Sequence, residues 1–281
     1  MLLKIFKHDF KTCARYEVPI LLALLGATVL GVVDLFLISL SVKDQISSDT
    51  IEGIGAVLGV MGLMFVIFLI SAAASVMMFM IYYRFYKSMI TDEAYLTLTL
   101  PVKPTSLITG KLLSALVWYV ISIAAIVASF VIIVTSGGLM FAEGLEGIAE
   151  FFAELGYAFG DLIEILELGS GSAVLFAATM VVGAVSGLLQ IFFSILFAGS
   201  IVKKYKALCA VGMVLGINFV VSSISQTILS VANISSSFIL EVSFGSFMNL
   251  QLGVQLVIQI ALGVAFYFLS CHLVKHKVNL E

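Results

Sequence analysis

Charged side chains are scarce in this chain. Lys and Arg number 14 and Asp and Glu 17 in 281 residues, against 62% hydrophobic residues. So few charges cannot build a water-exposed surface, which excludes a soluble enzyme or a nucleic-acid-binding domain. Cysteine is as rare. Cys13, Cys209 and Cys271 lie far apart, which argues against a disulfide framework and against a cysteine-rich metal site. The three histidines, His8, His272 and His276, fall among basic flanks. No HExxH pair, no GxSxG, no paired intramembrane carboxylates and no histidine cluster occurs, so an intramembrane protease or metal enzyme lacks its facing groups. Charge within the apolar runs is also too sparse for a typical ion-coupled carrier or voltage sensor. The chain is not read as an enzyme, and energy for any work has to come from outside it.

What is abundant is apolar sequence in long runs, with a mean hydropathy of +1.20. The expected fold is an all-α integral membrane protein, one transmembrane domain over 1–281 with six transmembrane helices. The spans are placed at about 18–42, 54–83, 107–136, 172–201, 207–232 and 250–274. Span 2 exceeds a ~30 Å hydrocarbon core at about 1.5 Å per residue and is expected to project beyond it. The first apolar run is too long for a signal peptide and lacks a small-residue cleavage pattern, so no processing is expected. With both termini placed in the cytoplasm, 13 of the 14 Lys/Arg fall on that side and only Lys43 falls outside. The acids do the reverse, with 11 of 17 outside. That asymmetry fixes the expected orientation.

Residues 1–17 carry Lys4, Lys7, Lys11 and Arg15 at helical spacing, with Leu2, Leu3, Ile5, Phe6 and Phe10 between them. They read as an amphipathic interfacial helix on the inner membrane surface. Asp34 lies inside span 1, where a carboxylate costs roughly 2.5–3.5 kcal/mol near the bilayer centre. It is either a pathway residue for a cationic or proton-linked cargo or a carboxylate solvated near the outer interface. Gln190 in span 4 and Asn218 in span 5 are two further polar candidates for a cargo pathway. For Gln190, a hydrogen bond between helices competes with that role. The stretch 137–171, between spans 3 and 4, places Phe141, Leu145, Ile148, Phe152, Leu155, Phe159, Leu162 and Leu166 at four-three spacing, with seven acids and no cation between them. It is expected to form an acidic amphipathic helical cap on the outer side, bent at Gly156 and Gly160.

The stretch from Thr91 to Leu113, TDEAYLTLTLPVKPTSLITGKLL, organises the rest. Pro101 and Pro104 stop any helix, and a new one must begin near Thr105 or Ser106. Gly110-Lys111 mimics the end of a phosphate-binding loop, but that motif needs Gly at 105 and Ser or Thr at 112, where Thr105 and Leu112 stand. Glu93, the LTLTLPV run at 96–102 and the LITGKLL run at 107–113 resemble the loop between the second and third spans of type-2 ABC-transporter permeases. The resemblance implies a permease subunit of an ABC exporter in a cell membrane, with a bacterium as the expected source. It implies a separate ABC ATPase chain that binds ATP and Mg, no cofactor in this chain, and pairing with a second, identical or paralogous, permease chain. It assigns 84–106 as the cytoplasmic docking loop, with Glu93, Tyr95, Leu96, Leu98, Leu100 and Pro101 as the ATPase-docking residues. The cargo it suggests is a hydrophobic or cationic peptide or drug. The acidic segment between spans 3 and 4 departs from the family's best-known members, whose large outer elements precede the last span. A membrane-embedded scaffold or sensor, and an ion-coupled carrier using Asp34, are the alternatives.

Overall fold

A computed structural model of the chain describes residues 2–43, 49–91, 94, 103–141, 147, 149–154, 156–157, 160, 170–201, 205–239 and 244–276. Among them no strand occurs. Six long helices follow one another: α1 (Leu2–Lys43), α2 (Asp49–Ile90), α3 (Pro104–Phe141), α4 (Ser170–Ile201), α5 (Lys206–Ile239) and α6 (Phe244–His276). All six are long and apolar enough to cross a membrane. A helix satisfies its own backbone groups, which is what an apolar run needs in lipid. Each helix also presents large apolar side chains outward, among them Val29, Phe68, Val127, Val181, Phe219 and Phe268. Water would not tolerate so much exposed apolar surface, and hydrocarbon does. The chain is a multi-pass membrane protein.

Two features of the helices differ from the sequence reading. No break separates residues 2–17 from the first span. Helix α1 runs unbroken for 42 residues, with Pro19 inside it. The face of its first turns that is buried is the polar one. Asp9, Cys13 and Glu17 are buried at i, i+4 and i+8, whereas Leu3 is 77% exposed and Lys4, Lys7 and Lys11 point outward. Below them the same face continues as Leu24, Thr28, Gly31 and Leu35. One 3.6-residue stripe thus serves both the basic segment and the span. Helix α3 begins at Pro104, where a missing N–H costs nothing, and the Ser106 N–H donates back to the Lys103 carbonyl (3.0 Å).

The chain divides into two compact units, with boundaries inside α1, α2 and α3. The unit of residues Lys11–Ile81 and Val117–Gly160 is built on α1, α2 and α3. Leu24 and Ala27 of α1 and Val66, Ile70 and Met77 of α2 form its buried core, joined by Ala125, Ile126 and Ile133 of α3. Glycine allows the close approach. A Cβ at Gly31 would meet Val66 and Ile133, and one at Gly59 would overlap Ile38. Thr28 Oγ1 donates to Leu24 O (2.8 Å) and pairs with Ser129 Oγ (3.0 Å), so the buried hydroxyls are satisfied. In the acidic segment, Phe151 packs over Gly138 near the end of α3. The spacing argument had put Phe152 on the apolar face, yet Phe152 is 46% exposed. The ring of Phe151 lies against the bare backbone of Gly138, where a Cβ would overlap it. Glu150 and Glu154 are exposed. Leu145, Ile148, Leu155, Phe159, Leu162 and Leu166 lie outside the described residues.

The other unit comprises Met1–Phe10, Tyr82–Leu116 and Asp161–Glu281. Here α4 packs on α6 and on α5, and α5 packs on α6. Small residues set the α4–α6 contact, with Gly263 against Ser186 and the Gln259 amide across Gly183. Phe85 of α2 stacks on Phe192 of α4 at 3.7 Å, and Phe193 meets Phe266 of α6 at 5.3 Å. Between α4 and α5 the chain turns at Tyr205, which adopts a left-handed φ of 60°. The Tyr205 carbonyl then accepts the Cys209 N–H (3.1 Å), so the turn leads straight into α5.

Candidate functional site

The ends of α2 and α3 frame the stretch that carries the family resemblance. Met89, Ala94 and Ile108 are fully buried, and Leu107 nearly so. The Ala94 N–H donates to the Thr91 carbonyl (2.7 Å), and Thr91 Oγ1 donates to the Lys87 carbonyl (2.5 Å). Both flanks of the intervening segment are therefore fixed. Glu93, Tyr95, Leu96, Leu98, Leu100 and Pro101 lie outside the described residues.

Two helical turns into α3, about 10 Å from its start, sits a group that sequence reasoning passed over. Lys111 is 6% exposed. Its Nζ donates to Asp9 Oδ2 of α1 (3.1 Å) and to Ser88 Oγ of α2 (2.9 Å). Asp9 and Ser88 are buried as well, at 7% and 3% exposure. One ammonium thus ties three helices together at the foot of the 91–113 stretch. A buried charge is tolerable only with a counter-charge and hydrogen bonds, and this one has both. His8 Nδ1 stands 3.8 Å from the other Asp9 oxygen. The signals were present in sequence, as a lysine inside the apolar run LITGKLLSALVWY and an acid inside the basic run KIFKHDFK.

Asp34 is half-buried in α1, and its carboxylate lies over Gly62 of α2. Its Oδ2 is buried and has no hydrogen-bond partner among the described residues. Glu17 is 1% exposed, and its Oε2 is likewise without one. Gln190 and Asn218 are brought together, with Gln190 Nε2 donating to Asn218 Oδ1 (3.0 Å) across α4 and α5. They belong to one unit and Asp34 to the other. For Gln190 the contact is the inter-helix bond weighed against a cargo role. Gln190→Leu or Asn218→Leu should each cost about 1–2 kcal/mol of stability and the pair together little more than one of them. Additive losses in unfolding titrations would show that the bond is not shared.

No family model, no curated protein and no solved structure matches this chain. The family resemblance rests on Glu93, the 96–102 run and the 107–113 run.

Proposed function

We propose that the chain is the membrane-spanning permease subunit of an ATP-driven ABC exporter, powered by a separate ATPase chain. The observation that carries this reading is the stretch 91–113, with its exporter-like LTLTLPV and GKLL runs, rooted on the buried Asp9–Ser88–Lys111 cluster. A loop that receives force needs a stiff base, and a lysine tying three helices supplies one. Glu93, Tyr95, Leu96, Leu98, Leu100 and Pro101 are the docking residues in this reading. The apolar ones fill a groove in the ATPase, and Glu93 pairs with a cation there. ATP-driven closure of two ATPase chains then re-packs the spans between inward- and outward-facing states. The orientation is the one set by the basic residues, with both termini cytoplasmic. A second permease chain, identical or paralogous, follows in this reading from the family resemblance. The cargo in this reading is a hydrophobic or cationic peptide or drug-like molecule.

One observation favours a second reading, an ion-coupled carrier. The buried Asp34 oxygen, without a hydrogen-bond partner among the described residues, suits a proton or cation site. Both readings meet the same experiment, recovery of partners from mild detergent with wild type and with Glu93→Ala/Leu98→Asp. The exporter reading expects a nucleotide-binding ATPase with wild type and at least tenfold less with the variant. Absence of an ATPase from both, with transport abolished by Asp34→Asn, would move the assignment to the carrier.

A further inference from the structure

An apolar groove of about 340 Å³ opens between α4 and α6. Val182, Val185 and Leu189 of α4, Gln259 and Gly263 of α6 and Leu112 of α3 line it. Its outer lip is Ile260, Val264 and Phe268, exposed at 46%, 52% and 66%. Those three residues sit in a membrane-spanning segment, so the groove opens towards hydrocarbon. From Gln259 to Phe268 it extends over about two and a half helical turns, roughly 13 Å. That is the shape of an acyl-chain slot.

One end of the slot is marked by charge. Thr109 of α3 and Tyr267 of α6 are hydrogen-bonded there through their hydroxyls (3.1 Å). Beyond that bond α3 reaches its N-terminus at Pro104, preceded by the exposed Lys103, and α6 runs on to the exposed His272 and Lys275. Lys103 lies about 9 Å along α3 from the bond and Lys275 about 12 Å along α6, at 1.5 Å per residue. His272 and Lys275 follow Val264 and Phe268 on the same side of α6 at helical spacing. The positive end of the α3 dipole lies at the same end. An apolar slot with an exposed lysine beyond it on each of two helices matches a phosphodiester with a hydrocarbon tail.

We propose that this groove is a binding site for an anionic phospholipid, one acyl chain lying between α4 and α6 and the phosphate held at Lys103 and Lys275. The exporter and carrier readings are both compatible with it, and it depends on neither.

The test uses the full chain in nanodiscs containing a trace of phosphatidylglycerol or phosphatidylcholine with a photoreactive diazirine on the acyl chain. With wild type, crosslinks from phosphatidylglycerol are expected to concentrate in Val182–Leu189 and Gln259–Phe268. A preference of about thirtyfold over phosphatidylcholine follows from two lysines near the headgroup. Val264→Trp, at an exposed lip position, should cut groove crosslinking several-fold for both lipids. Lys103→Ala/Lys275→Ala should bring phosphatidylglycerol down to the phosphatidylcholine level. Crosslinks spread over exposed α5 as densely as over the groove would overturn the proposal and leave bulk annular lipid only. So would a headgroup preference unchanged in the double lysine variant. Because the map is made on wild type, a folding defect in either variant does not decide the result.

Discussion

Lys111→Met is expected to destabilise the protein by about 3–5 kcal/mol, because it takes from the buried Asp9 carboxylate the ammonium bonded to it. Asp9→Asn should cost a similar amount from the other side, because it removes the carboxylate that stands 3.1 Å from the buried ammonium. The informative variant is the pair. Asp9→Leu/Lys111→Met removes both charges together, and replacement of a buried ion pair by apolar side chains is often close to neutral. Reversible unfolding in mixed micelles should therefore show two strongly destabilised single variants and a double variant within about 1 kcal/mol of wild type. A loss in Lys111→Met and in the double variant with none in Asp9→Asn would mean that Lys111 stabilises by packing alone. The double variant also separates stability from function. If the cluster serves as the stiff base of the docking loop, the double variant stays folded and still binds the ATPase, and what it loses is the coupling of ATP hydrolysis to transport.

Gly62→Ala is the second substitution with a large expected effect. A Cβ at 62 would overlap the Asp34 carboxylate, which already rests on the bare glycine backbone. Overpacking of this kind costs about 1–3 kcal/mol. Asp34→Ala should stabilise or be neutral, since it removes a carboxylate with a buried oxygen that has no partner among the described residues. Combined, Asp34→Ala/Gly62→Ala should recover most of the loss, because the space vacated at 34 accepts the new methyl. The coupling between the two sites, read as a double-mutant cycle in the same unfolding assay, should exceed about 1 kcal/mol. A cycle that closes with no coupling would show that the two side chains do not meet. If Asp34→Ala also abolishes transport in a more stable protein, the carboxylate is kept for function against its structural cost.

Composition and periodicity by themselves determined that the chain is a helical membrane protein of six spans. Both are properties of the run of residues along one helix, and lipid leaves an apolar run of that length no other way to satisfy its backbone. They also placed a helix start just after Pro104, close to where α3 begins, and they singled out Asp34, Gln190 and Asn218 as polar groups that needed an explanation. Which faces meet was decided only by tertiary structure. Amphipathic spacing in residues 1–17 points to a helix on the inner membrane surface, and only the tertiary structure shows that Asp9, Cys13 and Glu17 are its buried side, with Lys111 Nζ donating to Asp9. Spacing favoured Phe152 in the acidic segment, yet Phe151 packs, because Gly138 lies opposite it. An acid at 9 and a lysine at 111 are 102 positions apart in sequence. Nothing along the chain reports that 3.1 Å separates them. Pairing depends on the rotation and register of one helix against another, which no one-dimensional pattern carries.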